Sequence, residues 1–379
     1  MDRVSTPPVT IPEKRVFFGL LDQLRAVAAL AVVWSHLVGF FLGLSGQSWP
    51  PASAVALLIG RPAGIVDDFG WFGVAVFFFI SGFVITHAAR RESGPVFIVR
   101  RVLRIYPPVV FAILVVIVIG YVRGYGPTSP AGDPLSGWQI VANFTLADAF
   151  FAPSSAILSV TWTLAIEMTF YLCMWALIPL VRRVPWLASL ILVVVFTLPT
   201  LLIPDGIGGF RPGSVFLFAP LLVLGQVLYL ARMRLVPLWG AALLGGAAWT
   251  SFLFGLHRIG PDRLTPDNNH PANAILAFAL VVIAVLLEGR VRPSRIVAVV
   301  ARRSYSLYLM HTLVGLLVLT LLHEAGSPYT LNLLVALVVV ALATEACYRL
   351  AERPGIVLGR RLSARLRRDP EPAARTLET

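Results

Sequence analysis

Charged residues are scarce in this sequence of 379 residues. Asp, Glu, Lys and Arg together make up 13% of the chain, and hydrophobic residues make up 58%. Because an ordinary soluble domain carries about 25% charged residues, this composition excludes an ordinary soluble protein. Several apolar runs reach about 20 residues, the length that crosses a lipid bilayer as a helix. The sequence therefore predicts an all-α, polytopic integral membrane protein.

Cysteine is also scarce, which limits the chemistry of the chain. Its two cysteines, Cys173 and Cys347, both fall within apolar segments. This pattern supports neither a disulfide framework nor a metal site, so we expect no metal. Neither cysteine lies beside a residue that could act as its base, which argues against thiol catalysis.

Ten segments of the chain are predicted to form membrane-spanning helices. Pro- and Gly-rich breaks separate them, as is typical of helix ends. The predicted helices cover residues 17–43, 69–89, 105–122, 160–181, 186–203, 214–231, 236–256, 272–288, 304–323 and 329–351. The predicted membrane domain covers residues 17–355. We expect a short segment, 1–16, before it and a basic, disordered tail, 356–379, after it.

The arginines predict how the chain is oriented in the membrane. If the N-terminus is cytoplasmic, 26 of the 31 Lys and Arg residues fall on the cytoplasmic side. Because positive residues favour that side, both termini are predicted to be cytoplasmic. The net charge of +12 is thereby read as a topology signal, and nucleic-acid binding is not expected.

His36 is the most informative single residue, because ionisable groups at membrane depth are costly and are usually functional. Arg25 precedes it by 11 residues, which is about three helical turns or roughly 16 Å. The two side chains would therefore share a helix face, and Asp22 could pair with Arg25. The alternative is a purely structural His bonded to a neighbouring helix.

Two further helices carry candidate groups at membrane depth. Ser81 and Gly82 form a small polar notch that could admit a ligand or pack against another helix. Glu167 is predicted to lie about 10 Å from the outer surface, near the depth of His36. A carboxylate beside an imidazole could form a general-base pair, although a structural tie between helices is the alternative.

The remaining candidates lie near the predicted cytoplasmic surface. Arg100, Arg101 and Arg104 precede Tyr106, and guanidinium groups spaced in this way suit phosphate recognition. Anchoring to anionic lipid is the alternative for these arginines. Arg303 and His311 open the ninth predicted helix and place a second His within the membrane.

Taken together, these motifs resemble the membrane-bound acyltransferase-3 family. The resemblance rests on an ordered set across residues 20–355: LDQLRA with a later His, FFFISGF, RRVLRIYPP, SVTWTLAIEMTFY, SYSLYLMH and ERP. The family commonly has Gly where this chain has Gln23. Its arginine and histidine pair matches Arg25 and His36, its double-arginine motif matches Arg101 and Arg104, and its acidic residue matches Glu167.

The resemblance implies transfer of an acyl group, often acetyl from acyl-CoA, to a hydroxyl of a glycan, a glycolipid or a macrolide-type metabolite. Our hypothesis for the mechanism has His36 as the general base, with Glu167 and Arg25 as further catalytic residues. The residues expected to contact acyl-CoA are Arg100, Arg101, Arg104, Arg303, Ser81, Tyr106 and His311. A bacterial plasma membrane is the expected location, and a homo-oligomer is left open. The main alternative is a transporter or flippase. The sequence shows no internal repeat, which argues against that alternative.

Overall fold

The computed structural model describes residues 18–65, 69–124, 126–128, 132–151, 155–202, 212–259 and 269–366. This part of the chain is helical, without a β-strand. Its α-helices are α1 Gly19–Trp34, α2 Phe41–Ser45, α3 Pro50–Val55, α4 Phe69–Arg91, α5 Gly94–Val122, α6 Gly137–Thr145, α7 Asp148–Phe151, α8 Thr161–Ala176, α9 Ile178–Arg183, α10 Pro185–Leu202, α11 Pro212–Arg232, α12 Leu238–Ile259, α13 His270–Leu287, α14 Arg295–Glu324, α15 Tyr329–Cys347 and α16 Arg353–Leu366. Three π-helical segments, Ser35–Phe40, Ala56–Gly60 and Tyr348–Glu352, continue neighbouring α-helices.

The fold is that of a multi-pass membrane protein, as the composition predicts. Within the described residues, eight helical stretches are long and apolar enough to cross a bilayer. The predicted helix at 160–181 is divided at Leu177 into α8 and α9, since Pro179 begins a new helix there. The apolar helix Phe216–Arg232 within α11 is shorter than those eight. The count of ten spans and the orientation of the termini stay predictions.

The predicted disorder from residue 356 is wrong over 356–366. The chain continues from α15 through a π-helical turn into α16, which packs against α5. The physical reason is a close approach between the two helices. A Cβ atom added at Gly355 would lie 2.3 Å from the carbonyl oxygen of Leu103, so the glycine permits α16 to contact α5 at this point. The predicted N-terminal segment, 1–16, and the rest of the predicted tail, 367–379, lie outside the described residues.

Helix α4 occupies the centre of the bundle and packs against α1, α11 and α13. Its closest contact is with α11, where Gly82 faces Leu222 and Gly225 faces Phe79. A Cβ added at Gly82 would lie 1.9 Å from the carbonyl oxygen of Leu222, and one at Gly225 would lie 2.1 Å from that of Phe79. The two backbones therefore meet directly, as small residues permit in membrane helices.

One end of the bundle is held together by arginines. Arg90 donates to the carbonyl oxygen of Val181 at 2.6 Å, which links the end of α4 to α9. Arg182 donates to the carbonyl oxygens of Ala89 and Glu92 and makes the reciprocal link. The ends of α4 and α9 are thus joined on the side where the sequence clusters its positive charge.

Helix α6, which lies between α5 and α8 in the chain, folds back along α5. Tyr106 donates to the carbonyl oxygen of Thr145, at the end of α6, over 3.4 Å. Tyr106 lies 16 residues before the end of α5, which is roughly 24 Å along the helix axis. Asn143 of α6 also bonds to the backbone of Ser155 and Ile157. The end of α6 therefore lies far along α5 from the end of that helix.

The contact of α4 with α11 generates a stability prediction. Gly82→Ala should lower the unfolding temperature, because the new Cβ would overlap the carbonyl oxygen of Leu222 and force the helices apart. We expect a destabilisation of about 1–3 kcal/mol, typical of overpacking. Thermal unfolding of the purified protein in detergent would measure it.

Gly246→Ala in α12 is the matched control. A Cβ at Gly246 would meet nothing within 4 Å, so the better helix propensity of Ala should leave stability equal or higher. Equal unfolding temperatures for both variants would contradict the packing described at Gly82.

Candidate active site

A polar cavity lies between α1, α4, α5, α8 and α14. Its wall combines charged, hydroxyl and aromatic groups, which is unusual within an apolar bundle. The polar residues of the wall are Arg25, Ser81, Arg104, Thr163, Glu167, Tyr171, Ser304, Tyr305 and Tyr308. The cavity therefore gathers candidate residues from four separate sequence motifs.

Two arginines supply positive charge to the cavity. Arg25 pairs with Asp22 one turn earlier at 3.6 Å, which confirms the predicted pairing on α1. Arg104 makes no hydrogen bond or ion pair with any side chain that the structure describes, although it lines the same wall. The carboxylates of Glu167, on the same wall, and of Glu352 attract Arg104 electrostatically without a direct hydrogen bond. The N–H donors of Arg104 are therefore available to a ligand that enters the cavity.

Helix α1 is fixed at its beginning by a carboxylate. The backbone N–H groups of Gly19 and Leu20 both donate to Glu288, each over 3.0 Å. These N–H groups are the unpaired donors of a helix terminus, where a negative charge is also favoured by the helix dipole. Glu288 therefore anchors the helix that carries Arg25 and His36.

Glu167 is held by two hydroxyl groups within the cavity. Ser81 donates to Glu167 Oε1 over 2.5 Å, and Tyr171, one turn further along α8, donates to the same oxygen. The Ser81–Gly82 notch thus serves two purposes. Gly82 packs against α11, and Ser81 turns toward the cavity.

A tyrosine separates this cavity from the histidines. Tyr308 on α14 shares a hydrogen bond of 2.8 Å with Thr163 and donates to the carbonyl oxygen of Val160 over 3.2 Å. Thr163 lies one turn before Glu167 on α8, and Tyr308 lies one turn before His311 on α14. The hydroxyl pair therefore forms a layer between the carboxylate and the histidines.

His36 and His311 face one another across α1 and α14. His311 Nε2 lies 3.2 Å from His36 Nδ1, and the two ring centroids are 4.9 Å apart. His36 Nδ1 is also 3.0 Å from the carbonyl oxygen of Val32. His36 belongs to the π-helical segment Ser35–Phe40, and π-helical turns within α-helices are frequent at functional sites.

The expected pairing of Glu167 with His36 is wrong, because no hydrogen bond joins these two side chains. The prediction placed Glu167 about 10 Å from the outer surface, near the depth of His36. Glu167 instead lines the same cavity as Arg25 and Arg104. His36, 11 residues beyond Arg25 on α1, is paired with His311.

Several residues predicted to contact the acyl donor have other partners. Arg100 and Arg101 both bind Glu92, at 2.6 and 3.2 Å, and Arg101 is 8% exposed. Arg303 binds Glu345 at 2.5 Å. These three arginines and Tyr106 do not line the cavity, whereas Arg104 and Ser81 do. The double-arginine motif is thus divided between an ion pair and the cavity.

The sequence reasoning did not single out Thr163, Tyr171, Tyr305 or Tyr308 as site residues. Tyr305 donates to the carbonyl oxygen of Ile105 over 2.9 Å and so closes the cavity between α5 and α14. Helical spacing carried a signal, since Thr163 and Tyr171 flank Glu167 by one turn on either side. Tyr308 likewise precedes His311 by three residues, on the same face of α14.

The arrangement defines a multi-pass membrane protein with an internal polar site. The chain belongs to the acyltransferase-3 family, whose model, described as an acyltransferase domain, matches residues 19–351. Within the described residues, no group of three or more His, Cys, Asp or Glu side chains is arranged to hold a metal ion.

Two curated proteins are similar to this chain. Acyltransferase MdmB of Streptomyces mycarofaciens is 30% identical over 200 residues, which cover 50% of this chain and 48% of MdmB. The exopolysaccharide production protein ExoZ of Rhizobium meliloti (strain 1021) is 28% identical over 303 residues, which cover 76% of this chain and 90% of ExoZ. The chain thus matches about half the length of MdmB and most of ExoZ. No solved structure shows a significant match to the chain.

Proposed function

We propose that this protein is an integral-membrane O-acyltransferase that moves a short acyl group, acetyl in the first instance, from acyl-CoA to a hydroxyl group. The observation that carries the proposal is the cavity with Arg25 and Arg104, next to a pair of facing histidines. Family membership and the name of one relative, acyltransferase MdmB, agree with this activity. We place the protein in a bacterial plasma membrane with both termini cytoplasmic.

Arg25 and Arg104 are the proposed contacts for the anionic part of the donor. A guanidinium group binds phosphate oxygens through paired N–H groups, and Arg104 has these groups available. The cavity encloses ≈ 60 Å³, enough for about four to six water-sized groups. This volume holds one anionic group of the donor rather than the whole CoA molecule.

His36 is the proposed general base. Its imidazole removes the proton of the acceptor hydroxyl as the oxygen attacks the thioester carbonyl carbon. The carbon–sulfur bond breaks, and the CoA thiolate takes the proton from the imidazolium. The products are the ester and free CoA. Direct transfer of this kind needs no covalent acyl-enzyme intermediate, so we favour it over an acyl-histidine.

The proposed acceptor is a sugar-containing molecule. The name of ExoZ connects that relative with an exopolysaccharide, and the chain matches most of ExoZ. A glycolipid or a macrolide-type metabolite carries the same reactive group, a secondary or primary hydroxyl. Incubation of the purified protein with labelled acetyl-CoA and an acceptor panel tests the proposal. Label should appear on an acceptor, whereas a transporter would leave acetyl-CoA unconsumed.

Removal of the proposed base gives the first functional prediction. His36→Gln should lower the rate of acetyl transfer by a factor of about 100 or more, because general-base catalysis contributes that much. The dissociation constant for CoA should stay unchanged, since His36 does not line the cavity. Transfer is measured with labelled acetyl-CoA and binding by calorimetry.

His323→Gln is the matched control, because this histidine lies near the end of α14 and outside the proposed site. It should transfer acetyl groups at the wild-type rate. Wild-type transfer by folded His36→Gln protein would refute the proposed base.

The different surroundings of Arg101 and Arg104 give a second prediction. Arg104→Gln should weaken CoA binding by about 10- to 100-fold, the loss expected for charge-assisted hydrogen bonds to phosphate. Its unfolding temperature should change little, because Arg104 has no ion-pair partner in the described part of the chain.

Arg101→Gln should behave in the opposite way. It removes one of the two arginines that bind Glu92, which should destabilise the protein by about 1.5–3 kcal/mol, while CoA affinity is retained. Unfolding temperature and CoA dissociation constant are measured on both variants. Equal loss of affinity in both would show that the motif binds the donor as a unit, against the division described above.

A further inference from the structure

His311 has a hydrogen-bonding pattern that fixes where its proton lies. Its Nδ1 is 2.7 Å from the carbonyl oxygen of Tyr308 and 3.2 Å from that of Leu307. Carbonyl oxygens only accept hydrogen bonds, so Nδ1 must carry the hydrogen. In the neutral ring, His311 Nε2 then has a free lone pair and acts as an acceptor.

The same reasoning fixes the proton of His36. Its Nδ1 faces the carbonyl oxygen of Val32 at 3.0 Å and the acceptor Nε2 of His311 at 3.2 Å. A lone pair on His36 Nδ1 would be opposed to two other lone pairs, which is unfavourable. The hydrogen of His36 therefore lies on Nδ1, and its Nε2 is the basic nitrogen.

We propose that His311 is a positioning residue that acts through His36. It accepts the hydrogen bond of His36 Nδ1–H, keeps the Nε2 lone pair available for the acceptor hydroxyl, and stabilises the imidazolium formed when that proton is taken. The inference rests on the proposed role of His36 as base. In this proposal His311, rather than Glu167, orients the imidazole of His36, as a carboxylate does in many catalytic histidine pairs.

The packing around the pair supports this role. His311 is fully buried, and Gly315 one turn later lets α14 approach α1 closely. A Cβ at Gly315 would lie 2.6 Å from Leu37 Cδ2, beside His36. Tyr329 donates to the carbonyl oxygen of Leu37 over 2.8 Å and secures the π-helical segment from the other side. A neutral acceptor also avoids the cost of burying a carboxylate at this position.

The first test is the tautomer of His36 in the wild-type protein. The full chain, labelled with ¹⁵N-histidine and placed in lipid nanodiscs, is studied by NMR, and His36→Gln identifies the His36 signals. We expect a protonated Nδ1 and an unprotonated Nε2. A hydrogen on Nε2 would overturn the inference and would leave the proposed base itself untouched.

The second test compares two substitutions of similar polarity. Gln reaches about as far as the Nε2 position of histidine and offers an acceptor oxygen there, whereas Asn reaches only the Nδ1 position. His311→Asn should lower kcat by about 10- to 100-fold, as for other groups that orient a functional histidine. The KM for acetyl-CoA should stay unchanged, and His311→Gln should recover most of the lost rate.

The two variants separate positioning from packing. Equal kcat values for His311→Asn and His311→Gln, whether both wild-type or both low, would overturn the inference. If His311→Asn does not fold, the tautomer in wild-type and His311→Gln protein decides the question. Wild-type transfer by His36→Gln would refute the proposed function while leaving the tautomer measurement valid.

Discussion

The cost of an unpaired charge inside an apolar bundle determines how this protein is arranged. Each buried ionic group must find a partner, because water is not available to solvate it. Asp22 meets Arg25, and Glu92 meets Arg101. Arg104 differs, since it makes no hydrogen bond or ion pair with a described side chain and shares the cavity with Glu167. Its N–H donors therefore remain available to a ligand.

The polar groups that remain form successive layers along α1, α8 and α14. Arginines and a carboxylate lie in the cavity, the hydroxyl pair of Thr163 and Tyr308 follows, and the facing histidines lie beyond it. The layering follows from helical geometry, because residues three or four apart share a face. The proposed donor binding and the proposed proton transfer thus fall in neighbouring layers on the same helices rather than in one cluster.

The position of Glu167 shows where reasoning from the chain alone reaches its limit. Its depth was inferred by counting residues from an assumed membrane surface, which requires the preceding segment to lie outside the bundle. The contact of Tyr106 with Thr145 shows that α6 instead follows α5 inward. Loop paths of this kind depend on contacts between residues distant in sequence, and local hydrophobicity does not encode them. His311, in contrast, was recognised as an intramembrane residue, although its partner was not.

The sequence by itself determined the class of the fold and the approximate positions of the long helices, and it singled out Arg25, His36 and Arg104 as candidate site residues. These features follow from local periodicity and from the cost of ionisable groups in lipid, both of which are properties of the chain. Only the tertiary structure decided that His36 faces His311 and that the cavity receives Arg104 rather than Arg101. Those outcomes depend on helix rotation and on the close backbone contacts that glycines permit, which are settled only when the helices pack.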